Sequence, residues 1–374
     1  MPLLLLLILL TELLTVGFII LDIHLIREWY TWKDTIDDEY ARRCLYGAIA
    51  LSAWSFFGRS VISRILSKSR KSEDEPKQEH SKDNEQLKRP DGSVINIEFM
   101  GDKKLPPIVF VHGWNENSTA WYYEKKKFSQ SNYVILIDLP GLGKSKRPGN
   151  KDFSLQKMAA DLEAVIEHLK LSNAVLWGHS IGGMIILTYC CQVSKNLERR
   201  VKAIILQHTT FTNPTHTSIA SRLLRAIQKP VLYPICWLMI ALSPLFWLSK
   251  WMSYMNGNML ISTRFLVFAG TQTPAQLDFV SRLSAMAPPA VFARGMLGMM
   301  KTYDVSNDLQ KLTLPALIIG AKYDRLTKPI ASEHMNKNIP GSKLVILSPA
   351  GHQGQIERHS ETNEAAEKFI NGLK

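Results

Sequence analysis

Gly178-His179-Ser180-Ile181-Gly182 directly follows the apolar run Ala174-Trp177 and precedes a second one, Met184-Leu187. A Gly-x-Ser-x-Gly set between a β-type run and a helical one can lift a serine hydroxyl onto a sharp strand-to-helix turn. Side chains at 178 or 182 would collide there, which is the steric reason for Gly178 and Gly182. A serine hydroxyl is a weak nucleophile until a base takes its proton. Of ten histidines, His352 fits that role: Pro349-Ala350-Gly351-His352-Gln353-Gly354 is a small-residue loop after the last β-type run. An imidazole base needs a carboxylate to fix its tautomer and stabilise its charged form. Asp324 follows the preceding run, Ala316-Ile319, and the chain order is Ser180, Asp324, His352. Ser180 is therefore expected as nucleophile, His352 as base and Asp324 as orienting acid. The blander alternatives are an inert serine in a tight turn and an aspartate that caps a helix or pairs with Arg325.

Attack on a carbonyl creates an oxyanion, which needs donors already in place. The candidates are two backbone N–H groups: that of Ile181, just after the nucleophile, and that of Trp114, in His112-Gly113-Trp114 after the run Ile108-Val111. Gly113 would let the backbone turn close to the ligand, and His112 would brace the loop by hydrogen bonding. His179 is expected to pack behind the turn, and His208 is a candidate pocket residue.

These residues need a scaffold. From Ser93 onward, short β-rich runs alternate with amphipathic helices. The runs are Val94-Phe99, Ile108-Val111, Tyr133-Ile137, Ala174-Trp177, Ala203-Leu206, Ala316-Ile319 and Lys343-Leu347. The central ones are continuously apolar, as for strands covered on both faces. Ser154 can cap a helix with apolar residues at 155, 158, 162, 165, 166 and 169, a helical spacing. Such alternation predicts a mostly parallel α/β sheet with right-handed crossovers. It is interrupted at about residues 211–301 by a helical insert read as a cap, with prolines at 230, 234 and 244 that oppose a straight membrane span.

The run Leu3-Leu21 is apolar except for Thr11, Glu12 and Thr15. Nineteen residues at about 1.5 Å each match a bilayer core of about 30 Å. Met1-Pro2 supplies no side-chain charge and no Ala-x-Ala site follows, so an uncleaved anchor is expected rather than a signal peptide. A charged Glu12 would cost about 2.5–3.5 kcal/mol at the centre of a span, so it is expected protonated or turned toward a second helix. A second apolar stretch, within residues 44–62, is open between a span, an interfacial helix and a buried one; with the first it would form a hairpin. Five basic residues and no acid between Arg59 and Lys71 place the catalytic domain in the cytoplasm. Residues 1–66 are thus an anchor, 67–90 a charged linker and 91–374 the catalytic domain.

The net charge of +12 lies in scattered residues with no aromatic-interleaved basic groove, which disfavours nucleic acid and suits an anionic membrane. Cys44, Cys190, Cys191 and Cys236 form neither a disulfide frame nor a metal set, and no metal or cofactor is expected. Gly141-Leu142-Gly143-Lys144-Ser145 mimics a phosphate-binding loop, but Asp138 stands where its first glycine belongs. Asn117-Ser118-Thr119 is a glycosylation sequon, yet a glycan three residues past the oxyanion loop would crowd the mouth.

Taken together, His112-Gly113-Trp114, Asp138-Leu139-Pro140-Gly141-Leu142-Gly143-Lys144-Ser145, the serine turn, Asp324 and His352 resemble the α/β-hydrolase family with a cap domain, over about residues 93–372. The motifs are similar to those of monoacylglycerol lipases, carboxylesterases, epoxide hydrolases, haloalkane dehalogenases and carbon–carbon hydrolases. Epoxide hydrolases and dehalogenases carry aspartate where this chain has Ser180, so the resemblance disfavours both. The first hundred residues fall outside the resemblance. The triad points to a serine hydrolase that cleaves carboxylic esters, and the anchor and the apolar cap point to a membrane-anchored enzyme with apolar or lipid-like substrates. The alternatives are cleavage of a carbon–carbon, thioester or amide bond by the same triad, and a non-catalytic binding protein on the same fold.

Overall fold

The computed structural model of the chain describes residues 2–35, 37–67 and 74–373. Eight strands form one sheet: β1 (Asn84–Lys88), β2 (Val94–Met100), β3 (Pro107–Val111), β4 (Tyr133–Ile137), β5 (Ala174–His179), β6 (Val201–Gln207), β7 (Ala316–Ala321) and β8 (Lys343–Leu347). Their order is β1-β2-β4-β3-β5-β6-β7-β8. β1 pairs with β2 and β2 with β4 antiparallel; every pairing from β4 across to β8 is parallel. The seven expected runs are all strands. Because side chains alternate across a strand, Ile108 and Phe110 of β3 join one apolar layer and Val109 and Val111 the other. Helix Leu155–His168 starts where Ser154 Oγ accepts the Lys157 N–H at 3.2 Å, and buries Leu155, Met158, Leu162, Val165 and Ile166.

One segment differs from expectation. Asn84–Lys88 lies in the stretch read as a charged linker, yet it is the edge strand β1. Upstream, Ser81 Oγ donates to Phe99 O at 2.6 Å, and Tyr122 Oη donates to Asp74 at 2.7 Å. The folded domain thus begins well before Arg89. Asn-Glu-Gln-Leu-Lys has almost no apolar face, and what orders it is backbone pairing to β2, which leaves no hydropathy signal. Residues 68–73, with Lys68, Arg70 and Lys71 of the basic cluster behind the orientation expectation, lie outside the described residues.

Between β6 and β7 the cap runs from Pro214 to Thr302 as successive helices. Pro230 and Pro234 lie in one helical rod, Ser221–Ala241, whose π turn at Gln228–Leu232 accommodates Pro230, while Pro244 opens the next helix, Ser243–Met255. At the other end of the chain, α1 (Pro2–Trp32) and α2 (Asp38–Leu66) form an antiparallel hairpin, so the stretch within 44–62 is part of one 29-residue helix. Three described helices are long and apolar enough to cross a membrane: Leu5–Trp32, Asp38–Leu66 and Ser221–Ala241. The polar residues of the first run face inward: Thr11, Glu12 and Thr15 are buried, while Leu13, Ile20 and Ile23 are exposed.

Candidate active site

Parallel strands deliver their following loops to one edge of the sheet. The loops after β3, β5, β7 and β8 bring Trp114, Ser180, Asp324 and His352 to that edge. Ser180 sits between β5 and helix Ile181–Thr188 at φ 52°, ψ −117°, a conformation that costs about 1–3 kcal/mol and persists only where its surroundings enforce it. Those surroundings are tight. A Cβ on Gly178 would stand 2.4 Å from the carbonyl carbon of Gly182, and one on Gly182 would stand 2.0 Å from Val111 O. The Ser180 N–H donates to Gln207 O at 2.9 Å and Thr209 Oγ1 donates to Ser180 O at 2.6 Å, which ties the turn to β6.

Ser180, His352 and Asp324 meet. His352 Nε2 is 3.0 Å from Ser180 Oγ, and His352 Nδ1 is 2.8 Å from Asp324 Oδ2. Asp324 Oδ1 also accepts the N–H groups of Leu326 and Thr327 at 2.8 and 2.9 Å, and Thr327 Oγ1 donates to Oδ2 at 2.8 Å. Burial opposes a charge on Asp324, but the adjacent imidazole and these donors outweigh it and hold the carboxyl at about 2. Burial is also the largest influence on His352; it exceeds the support of Asp324 and lowers the imidazole below its ordinary value. An ionised Asp324 fixes the proton on Nδ1 and leaves the Nε2 lone pair facing the hydroxyl. Such an arrangement can take a proton from serine and return it to a leaving group.

Ile181 opens its helix, so its N–H has no acceptor within that helix. Trp114 lines the cavity over Ser180, with its indole Nε1 donating to Phe292 O of the cap at 3.0 Å. His112 Nε2 accepts the Leu139 N–H at 3.0 Å, so Nδ1 carries the proton and donates to Gly113 O at 2.7 Å. The loop carrying Gly113 and Trp114 is braced in this way from both sides.

A family described as "alpha/beta hydrolase fold" matches residues 106–359. The chain belongs to this family. Its relatives include epoxide hydrolase 3 of Xenopus tropicalis, 22% identical over 280 residues, which cover 72% of each chain. Another is a pimeloyl-[acyl-carrier protein] methyl ester esterase of Aeromonas hydrophila, 23% identical over 282 residues, 74% of this chain and 99% of the other. Among solved structures, an esterase from Exiguobacterium antarcticum superposes with a TM-score of 0.59 at 22% identity, covering 79% of this chain and all of that one.

This hydrolase also uses residues that sequence reasoning passed over. Glu116 is buried beside the loop that carries Gly113 and Trp114, where its Oε2 accepts the Gly113 N–H at 2.9 Å and faces His179 Nδ1 at 3.2 Å, and its Oε1 accepts from Gln353 Nε2. His179 Nε2 donates to His352 O at 3.0 Å. Through Glu116, His179 therefore ties the Gly113–Trp114 loop to the backbone at His352 instead of simply packing behind the turn. Burial disfavours both charges, yet each supports the other: Glu116 is held at about 2 and His179 above its ordinary value. Glu357, also buried, accepts the N–H groups of Ala269, Gly270 and Thr271 from the cap and of Gly351 from the histidine loop. Neither glutamate belongs to a periodic pattern, and no neighbouring motif marks either one.

Other expected residues fall elsewhere. His208 is buried with its ring 6.3 Å from that of His352, but it is not among the residues that line the cavity; burial pulls its imidazole down to about 3. The Gly141–Ser145 turn wraps Asp138, which accepts the Lys144 N–H at 2.9 Å, and Ser145 Oγ donates to Asp138 O at 2.7 Å. Asn117 of the sequon is buried and accepts the Thr119 N–H at 2.9 Å. The cavity above Ser180 encloses about 30 Å³, room for little more than water. Its apolar wall is Trp114, Val267, Val280 and Leu326.

Proposed function

We propose that this alpha/beta hydrolase cleaves carboxylic esters of apolar, lipid-like substrates through an acyl-enzyme, with Ser180 as nucleophile, His352 as base and Asp324 as its orienting acid. The observation that carries the reading is the unbroken chain Asp324–His352–Ser180, with contacts of 2.8 and 3.0 Å in a buried site. His352 Nε2 takes the Ser180 proton as Oγ bonds to the ester carbonyl carbon. The oxyanion is received by the N–H groups of Ile181 and Trp114. His352 then gives its proton to the departing alkoxide, and the acyl group stays on Oγ. A water molecule, deprotonated by His352, attacks that acyl carbon and releases the carboxylic acid and free Ser180. The esterase named among the relatives favours ester cleavage. The epoxide hydrolase does not carry its reaction here, because position 180 is a serine and not the aspartate that such enzymes use.

The substrate class and the anchor rest on exposed apolar surface. Leu13, Ile20 and Ile23 of α1 and Phe56, Phe57 and Ile65 of α2 point outward, as do Leu245, Trp247 and Leu248 of the cap helix Ser243–Met255 that packs on both. Surface of this kind is stable against lipid and not against water. Trp29, Tyr30, Trp32 and Tyr40 cluster at the hairpin tip, where an aromatic belt would meet the far interface. In this reading the hairpin spans the bilayer, and its two ends and the catalytic domain share the cytoplasmic side. A fluorophosphonate probe should label the full-length protein at Ser180, and purified protein should release fatty acid from apolar esters. Folded protein that stays unlabelled at Ser180 would sink the proposal.

A further inference from the structure

The roof of the catalytic cavity is gripped by residues that precede the catalytic domain. Helix Asn258–Val267 presents Thr263 and Val267 to the cavity, and helix Pro274–Met286 presents Val280 and Ser284. The hairpin packs on these same helices: α1 and α2 on Asn258–Val267, and α2 on Pro274–Met286. The contacts along Pro274–Met286 are directional and run from end to end. Just before it, Gln272 Nε2 donates to Leu66 O at 3.1 Å, and Thr273 Oγ1 donates to Glu75 at 2.7 Å. One turn in, Asp278 Oδ1 stands 3.4 Å from Arg59 Nη1 and accepts from Tyr254 Oη at 3.0 Å. Arg59 also donates to that Tyr254 hydroxyl, with its guanidinium 4.7 Å from the ring centroid. Just past the far end, Lys250 Nζ donates to Ala287 O at 2.7 Å, and Glu12 of α1 is the acid that faces Lys250.

Apolar packing alone lets helices slide, whereas a planar guanidinium shared between a carboxylate and a phenol fixes their relative position. Ser180 is 1% exposed and the cavity above it has room for little more than water, so an acyl chain reaches it only when the cavity walls move. We infer that the hairpin is part of the substrate site: Arg59, through Asp278 and Tyr254, is a positioning residue that sets where helix Pro274–Met286 sits over Ser180, and thereby which acyl chains the site accepts. The inference rests on the ester-hydrolase reading above.

The test uses the full chain in detergent micelles, with Arg59→Ala, Arg59→Lys, Asp278→Ala, the double alanine variant and the swapped pair Arg59→Asp with Asp278→Arg. Steady-state rates are measured on p-nitrophenyl acetate and p-nitrophenyl palmitate, and hydrogen exchange is read on the same samples. Either alanine variant should change the palmitate-to-acetate ratio of kcat/KM at least fivefold, mainly through KM. The double variant should add nothing further, and the lysine variant and the swapped pair should return part of the change. Amides of Pro274–Met286 should exchange faster in Arg59→Ala while those of β3 and β5 stay protected. A ratio constant within twofold, rates on both esters falling in parallel, or unchanged exchange would each overturn the inference. A wild type that labels with fluorophosphonate but cleaves neither ester defeats the ester reading itself, and this inference with it.

Discussion

The catalytic rim and the roof above it are built differently. At the rim, Ser180, Asp324 and His352 follow directly on three strands of a parallel ladder whose central members are fully buried, and their contacts are 2.8–3.0 Å. The roof consists of helices Asn258–Val267 and Pro274–Met286, which give the cavity two side chains each and lean on the hairpin. Reacting groups must be held to fractions of an ångström, which a packed sheet provides. Access to a cavity of about 30 Å³ needs walls that can separate, and helices joined to the hairpin by a few discrete polar contacts can move as units. In the proposed reading, chemistry belongs to the sheet rim and admission to the helices above it.

The comparison can be broken most sharply at the nucleophile. Ser180→Ala should lower kcat by about 10⁶ while leaving the denaturation midpoint near that of the wild type, since alanine needs no more room at the turn. A large loss of stability would mean that the hydroxyl holds the rim together. Asp324→Asn should lower kcat by about 10⁴ by presenting the wrong tautomer of His352. Retention of a tenth of the activity would point to another orienting group, with Thr327 Oγ1, 3.4 Å from His352 Nδ1, the first to examine.

Glu357 sharpens the comparison because it joins the two regions. Glu357→Ala leaves four N–H groups without their acceptor, those of Gly270 and Gly351 buried, and should lower stability by roughly 3 kcal/mol in denaturant titration. A change below about 1 kcal/mol would show that rim and roof are independent there. The smallest effect concerns pH. Burial lowers the His352 imidazole, and the base must be neutral to work, so protonation becomes inhibitory only below the ordinary imidazole value. The kcat/KM profile should therefore be level near neutrality, and fall about tenfold per unit on an acid limb whose midpoint lies under pH 6.5. A midpoint at or above 6.5 would contradict a buried, closed rim.

Much of the rim was legible because its signals are local. Gly178, Ser180 and Gly182 are needed by one turn, Ser154 by one helix start, and the order Ser180, Asp324, His352 follows from the loops after three of the strand-forming runs, β5, β7 and β8. The strand β1 was not legible, because its order comes from pairing with β2 and not from an apolar face of its own. Glu116 and Glu357 were equally silent: what makes each matter is the backbone N–H groups of distant loops, and a lone glutamate in a sequence carries no record of them.

The amino-acid sequence by itself determined the alternating α/β pattern, the serine turn, the histidine loop and the two apolar N-terminal segments, since each follows from steric or hydropathic demands within about twenty residues. Tertiary structure alone decided that Glu12 faces Lys250, that Arg59 meets Asp278, and that the hairpin underlies the roof of the cavity. Those pairings join positions some two hundred residues apart, and no periodicity or spacing encodes a contact that exists only once the sheet has brought both ends of the chain together.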